Sequence, residues 1–302
     1  MTELTQTIIL GGGMYFGESP RYHDGLLYIS DMTGRKVYTI DTRNHNAKSV
    51  LVEVENQPNG MSFAPDGSLI YSSMFDAKLY RLKDGKSELF ADLSHVMTGY
   101  CGDMVIDGQG RVYIDDTGAR VLHGEKPSAG RLLMVDTDRS VKIVAENAIF
   151  PNALFIDNSG TKLYLAETFA QRLNRFDIAV DGTLSGRSEW WTPAELVPEQ
   201  DGSEGIWSID GGCMDADGSI WLSMLAYQRF IRLDPDKRIT HQINVKGHAT
   251  ACTLGGEDGK TLFLVTNEVP EGENLFAAMV GRRTKCIITS VRVESGRGSA
   301  RP

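Results

Sequence analysis

The sequence has no apolar run long enough to cross a bilayer. Its opening, MTELTQTIIL, lacks the basic n-region, sustained apolar stretch and small-residue cleavage site of a signal peptide. Positive charge is also in short supply: 31 Lys and Arg stand against 40 Asp and Glu, a net charge of −9. Nucleic acids and anionic membranes recruit basic patches, so this balance argues against both as partners. Cysteine is scarce. The four present (Cys101, Cys213, Cys252 and Cys286) form no C-x-x-C pair, which argues against a thiolate zinc site and a disulfide framework and leaves reduced, buried thiols. There is no G-x-S-x-G elbow, no H-E-x-x-H helix and no complete phosphate-binding loop, and the six histidines match no ligand spacing. No stretch keeps a 3.6-residue apolar period; the nearest, TPAELVPEQ at 192–200, is broken by proline. These absences leave the expectation of a cytoplasmic, β-rich protein whose partner is a small molecule.

What the sequence does contain is a repeat. GESPRYHDGLLYISDMTGRKVYTID, PNGMSFAPDGSLIYSSMFDAKLYRLK, CGDMVIDGQGRVYIDDTG, PNALFIDNSGTKLYLAETFAQRLNRFD, DGGCMDADGSIWLSMLAYQRFIRLD and ATACTLGGEDGKTLFLVT share one pattern. A polar start leads into an apolar strand, an Asp/Asn/Gly turn and further strands. Such turn residues tolerate the left-handed backbone that tight hairpins demand. Glu18, Asn59, Asp103, Asn152, Asp210 and Thr250 take equivalent places, roughly 40 to 50 residues apart except where the segment at 192–200 lengthens one interval. This is the period of propeller blades, and the expectation is an all-β, six-bladed β-propeller over residues 1–293. The leading TQTIIL should pair with CIITSVRV, closing the ring and removing two exposed edges. A division into two domains near residue 147 fails, because the repeat runs straight through it. The tail ESGRGSARP (294–302) is rich in Gly, Ser and Arg and is expected to be disordered.

In a propeller the innermost strands line a central channel, so residues at their starts converge. Carboxylates crowded in one funnel repel one another, and a bound cation relieves the repulsion. Carboxylate and amide oxygens without a His or Cys cluster suit a hard cation. The channel is therefore expected to hold one divalent cation, calcium foremost, with magnesium, manganese or zinc open. The residues around the same mouth are largely apolar or aromatic, which suggests a bulky and rather apolar substrate.

GESP, then FPNA with LYLAETFAQRLNRFD, then DGGCMDADGSIWLSM and TACTLGGEDGKTLFLVT resemble the gluconolactonase/regucalcin (senescence marker protein) family over nearly the whole chain. The resemblance implies a six-bladed propeller with one channel cation and lactone hydrolysis. By motif it implies Glu18, Asn152 and Asp210 as metal ligands. Asp210 would be the base that takes a proton from the attacking water, with Glu18 in reserve. Asp103 would orient Asn152 or water. In the third blade the family usually carries Asn-Asp, often with an Arg just upstream; here Gly102 replaces the Asn and Tyr100 sits near the Arg position. A weakened grip on sugar hydroxyls is the expectation. The substrate would instead meet Tyr15, Phe16, Phe75, Tyr100, Asp103, Phe169 and Trp207. Organophosphate hydrolysis on the same scaffold, and a non-enzymatic ligand-binding propeller, remain alternatives.

Overall fold

The Asp/Asn/Gly turns fall between the first two strands of each sheet, and their glycines hold positive φ, +82° at Gly25 and +78° at Gly218, which a Cβ would oppose. The computed structural model describes residues 4–194 and 208–301. It contains six four-stranded antiparallel sheets. Their first strands are Gly17–His23, Pro58–Phe63, Cys101–Ile106, Pro151–Ile156, Ile209–Met214 and His248–Gly255. Each packs beside the next, and the sixth returns to the first, so the six line a closed ring as the inner strands of six blades. The fourth strand of the first blade, Ala47–Glu53, lies at its outer rim and is largely exposed. The sixth blade is completed from the other end of the chain. Thr7–Leu10 pairs with Lys285–Arg292 through Thr7 opposite Ser290 and Leu10 opposite Ile288, as the sequence anticipates.

The core lies between blades. Ala153, Phe155 and Tyr164 of the fourth pack on Met214, Ile220 and Leu222 of the fifth, and the other interfaces repeat the arrangement. Trp221, Tyr113, Phe155, Phe230 and Phe263 are wholly buried. Each contributes roughly 1.5–3 kcal/mol, so the ring is held by apolar burial between twisted sheets. Two features depart from expectation. A single turn of α-helix, Leu275–Val280, follows the second strand of the sixth blade; Asn274 caps it by accepting from the amides of Phe276 and Ala277. The tail from 294 is not disordered through residue 301. Its Arg297 bridges Asp215, Arg301 bridges Ile156, and Ala300 is buried. Asn158 accounts for the capture: its Oδ1 accepts from Ala300 N at 2.9 Å and its backbone carbonyl from Ser299 Oγ at 2.7 Å. Most of the segment at 192–200, and Trp207, lie outside the described residues.

Every inner strand carries one extra residue near its start. Between Cys101 and Met104 the strand advances three positions while its partner retreats two, from Asp116 to Ile114. A one-residue shift occurs in the other five blades too; in the first it falls after Glu18, which still pairs with Ser30, and in the sixth two residues oppose one. Bulges of this kind re-aim side chains and are common beside active sites. One past the equivalent ladder residues Gly17, Pro58, Cys101, Pro151, Ile209 and Ala249 stand Glu18, Asn59, Gly102, Asn152, Asp210 and Thr250. The third-blade counterpart is thus Gly102, and Asp103 lies one residue further along.

Deleting residues 1–11 would remove the strand Thr7–Leu10 and bare the edge at Lys285–Arg292. Stability should fall by on the order of 2 to 4 kcal/mol, with concentration-dependent association. Urea denaturation with light scattering reads both, and an unchanged midpoint would contradict the closure.

Candidate active site

Five of these six equivalent residues, Glu18, Asn59, Gly102, Asn152 and Asp210, line one cavity at this mouth. About 80 Å³ of it is open to the centre of a water molecule, enough for several waters at roughly 10–15 Å³ each. Asn152 Nδ2 donates to Asp210 Oδ1 at 2.6 Å and to Thr168 Oγ1 at 3.3 Å. Thr168 Oγ1 in turn donates to the Ile209 carbonyl at 2.7 Å, so the amide and the carboxylate are fixed to one another. The sixth equivalent residue, Thr250, does not reach the cavity, and its hydroxyl lies against the carbonyls of Gly17 and Val265. Burial, then the charges of Asp210 and Asp103, pushes the Glu18 carboxyl well above its usual range. Burial and Asp103 do the same to Asp210, against the hydrogen bond from Asn152.

Asp103 is outside the cavity lining. Its Oδ1 accepts from Ser19 Oγ at 3.2 Å and pairs with Arg21 Nη2 at 3.1 Å, and its Oδ2 lies 3.4 Å from the Leu154 amide. Its place at the mouth is taken by a residue the sequence reading missed. A Cβ on Gly102 would lie 2.1 Å from Oδ1 of Asp115, so the Asp115 carboxyl fills the room a side chain at 102 would need. Asp115 Oδ2 accepts the Asp103 amide at 2.8 Å, while its Oδ1 is buried without a partner. Burial, followed by the Asp103 charge, drives this carboxyl well up. The carboxyl is thus biased toward its neutral form, in which Oδ1 could present a hydroxyl to the cavity that Asp115 lines. Four of the other five blades hold Ser30, Ser72, Ala166 and Ser223 at this ladder position, and the sixth holds Val265. An acid where four repeats have small residues, opposite a glycine where they have polar ones, was the available signal.

The walls are apolar. Phe16, Met32, Met74, Phe150, Phe169 and Leu225 surround the polar floor, and Phe150 stacks on Phe169 at 4.2 Å. Leu275, Phe276 and Met279 of the short helix and Val121 and Leu122 cover it. Phe150 has φ +51°, unusual for an aromatic residue, but Gln57 before Pro58 has φ +66°, so the conformation belongs to how the chain enters a blade. Of the anticipated substrate contacts, Phe16 and Phe169 line the cavity. Phe75 and Tyr100 stand behind it, their rings 5.2 Å apart, and the Tyr100 hydroxyl, pushed up to about 12 by burial, lies 2.6 Å from His123 Nδ1. Tyr15 is exposed, with its amide held by Asp31.

Among the described residues no three His, Cys, Asp or Glu side chains assemble as a metal cluster. The anticipated set is two carboxylates and an amide. Both carboxylates are pushed toward their protonated forms by burial and neighbouring carboxylate charge, and no described group donates to Asn152 Oδ1. Three oxygen donors facing an uncompensated negative region fit a hard divalent cation.

Fold and site together define a six-bladed propeller with a carboxylate–amide cluster at the floor of an apolar mouth. Residues 16–268 match the SMP-30/gluconolactonase/LRE-like region, and the chain belongs to that family. It is 25% identical over 270 residues to the pentonolactonase XacC of Haloferax volcanii, covering 87% of this chain and 85% of the other. Regucalcin of Agrobacterium tumefaciens, a calcium-binding protein, superposes with a TM-score of 0.77 at 18% identity over 99% of both chains. A gluconolactonase of Xanthomonas campestris superposes at 0.72 and 18% identity, covering 96% of this chain and 90% of that one.

A carboxyl whose folded pKa is raised supports the fold below its unfolded value, near 4, and loses that support as pH rises. Asp115→Asn keeps the shape without the charge. The metal-free variant should match the parent near pH 4 and melt progressively higher than it toward neutrality. A melting-temperature difference that does not change with pH would show that Asp115 is not held protonated.

Proposed function

We propose that the chain is a divalent-metal-dependent hydrolase that opens a lactone, or cleaves an ester, of rather apolar character. The observation that carries this reading is the pair of buried carboxylates, Glu18 and Asp210, with the Asn152 amide on Asp210, on the floor of a cavity walled by Phe16, Phe150, Phe169, Met32 and Met74. Membership of a family whose relatives include named lactonases supports the reaction class. A cation held by Glu18, Asn152 and Asp210 would supply a Lewis acid for the carbonyl oxygen.

The chain's own groups divide the remaining work. Asp210, fixed by Asn152 at 2.6 Å, is placed to take a proton from water, and the burial that raises its proton affinity makes it a stronger base. Glu18 lines the same floor and would share the cation with it. Asp115, biased toward its neutral form by burial, would donate a hydrogen bond to one substrate oxygen from the position vacated at 102, so the polar grip there is relocated rather than lost. The aromatic and methionine walls exclude water and reward apolar substituents. Four free, buried thiols and a net charge of −9 support a cytoplasmic enzyme acting on a small molecule.

Glu18→Gln, Asn152→Ala and Asp210→Asn should each weaken calcium or manganese binding in calorimetry and lower kcat/KM by about 100-fold or more. Full turnover in Asp210→Asn would remove it as the base. An alkyl- or aryl-substituted lactone should exceed gluconolactone in kcat/KM, since each unmatched hydroxyl costs about 1–3 kcal/mol. Equal or better turnover of the sugar lactone would refute the apolar pocket. Gly102→Asn alone should destabilise the fold by collision with Asp115. Combined with Asp115→Ser it should fold and shift preference toward the sugar lactone by about 10-fold, the value of one recovered hydrogen bond.

A further inference from the structure

The other mouth of the channel has the opposite chemistry. We propose that it binds a small, multiply charged oxyanion of the phosphate class. Where the inner strands end, a cavity of about 440 Å³ is lined by Arg21, Tyr22 and His23, by residues around Phe63, and by the tail from Arg297 to Arg301. Three guanidinium groups meet there in a chain of net charge −9, and no carboxylate is among the described lining residues. Arginine is the side chain best matched to a planar or tetrahedral oxyanion.

The Arg21 and Arg297 guanidinium groups and the backbone of Arg301 are held in place. Arg297 is fixed through its amide to the Gly259 carbonyl at 2.9 Å and through Nη1 to the Tyr22 carbonyl at 2.9 Å. Arg301 exchanges both backbone hydrogen bonds with Ile156, at 2.9 and 2.6 Å. Neither has an ion-pair partner among the described residues. The acids nearby are engaged: Asp103 with Arg21, Asp107 with Arg111 at 2.6 Å, and Asp215 with Arg232 at 2.7 Å. Asp24, exposed on its turn, lies 3.4 Å from His23.

An independent observation points the same way. Two buried donors in this cavity have no acceptor: Nε of Arg21, which is 5% exposed, and the hydroxyl of Tyr22, which is 8% exposed. Orphaned buried donors are rare in folded proteins, and an oxyanion would supply both with oxygens. Desolvation and the charges of Arg301 and Arg21 also hold the Arg297 guanidinium below its usual range, the mark of like charges without a counterion. The site is separate from the carboxylate mouth and does not depend on the reaction assigned there.

The test uses the full chain and inorganic phosphate, with sodium chloride at equal ionic strength as control. Phosphate at 10 mM should raise the melting temperature by about 3 °C or more over chloride, as a ligand specific for the folded state must. The double variant Arg297→Ala/Arg301→Ala should bind phosphate at least about 10-fold more weakly by calorimetry, while lactone turnover without phosphate stays unchanged. Tyr22→Phe should melt as the parent does in chloride and bind phosphate several-fold more weakly. No rise over chloride, or an equal rise in the double variant, overturns the proposal.

Discussion

A single extra residue at the start of each inner strand determines where polar groups can stand in the front mouth. In a regular ladder side chains alternate between faces, and in a propeller both faces of every inner strand pack on neighbouring blades. A charged residue in such a strand would have to be buried in the core. The bulge breaks the alternation at this position in the fourth and fifth blades and directly after it in the first, and Glu18, Asn152 and Asp210 reach a common floor. The apolar packing between blades backs this placement, with Phe155 and Trp221 wholly buried.

Holding the carboxylates there opposes folding of the metal-free chain. Glu18, Asp210 and Asp115 are all pushed toward their neutral forms by burial, and Asp103 contributes repulsion to each. Only Asp103 has a cation in contact, through Arg21. This division is chemically sensible. The carboxylate with a guanidinium partner lies outside the cavity and serves the framework, whereas the two without one face the space where a cation and a substrate would meet. Asp115 is a third kind, an acid with one oxygen on the Asp103 amide and the other buried at the cavity wall.

The two ends of the channel differ because different parts of the chain build them. Strand starts build the front, and the repeat supplies acids and amides there. Strand ends and the terminal segment build the back, where Arg297 and Arg301 arrive on a tail that belongs to no blade. Arg21 joins the two, its Nη2 on Asp103 toward the front and its Nε unpartnered among the back-mouth residues. Opposite charge along one narrow, low-dielectric channel is mutually stabilising. The Arg21–Asp103 pair, 6% and 14% exposed in its side chains, is where the two fields meet.

The fold was legible in the sequence because its cause is repeated six times. Turn glycines, apolar strands and the pairing of the first strand with the last all follow from local patterns that reinforce one another. The site was legible only as far as the repeat remained in register. In the third blade an acid at 103 beside a glycine at 102 invited a one-residue misalignment, since a polar residue was sought and the nearest one accepted. The bulge makes that shift consequential, because one position along the strand exchanges the cavity for the Arg21 pair. The tail and the short helix were missed for another reason. Asn158 captures Ser299 and Ala300, and Leu275 and Met279 pack with residues of other blades such as Phe16, Met74 and Leu225, contacts that composition cannot show. Read by position, Gly102 is a lost polar group. Read by volume, it is a relocated one, because the space it leaves is filled by a carboxyl from the adjacent strand. The chemistry of a close-packed site belongs to the space rather than to the residue number, and Asp115 has the space that a side chain at 102 would have had.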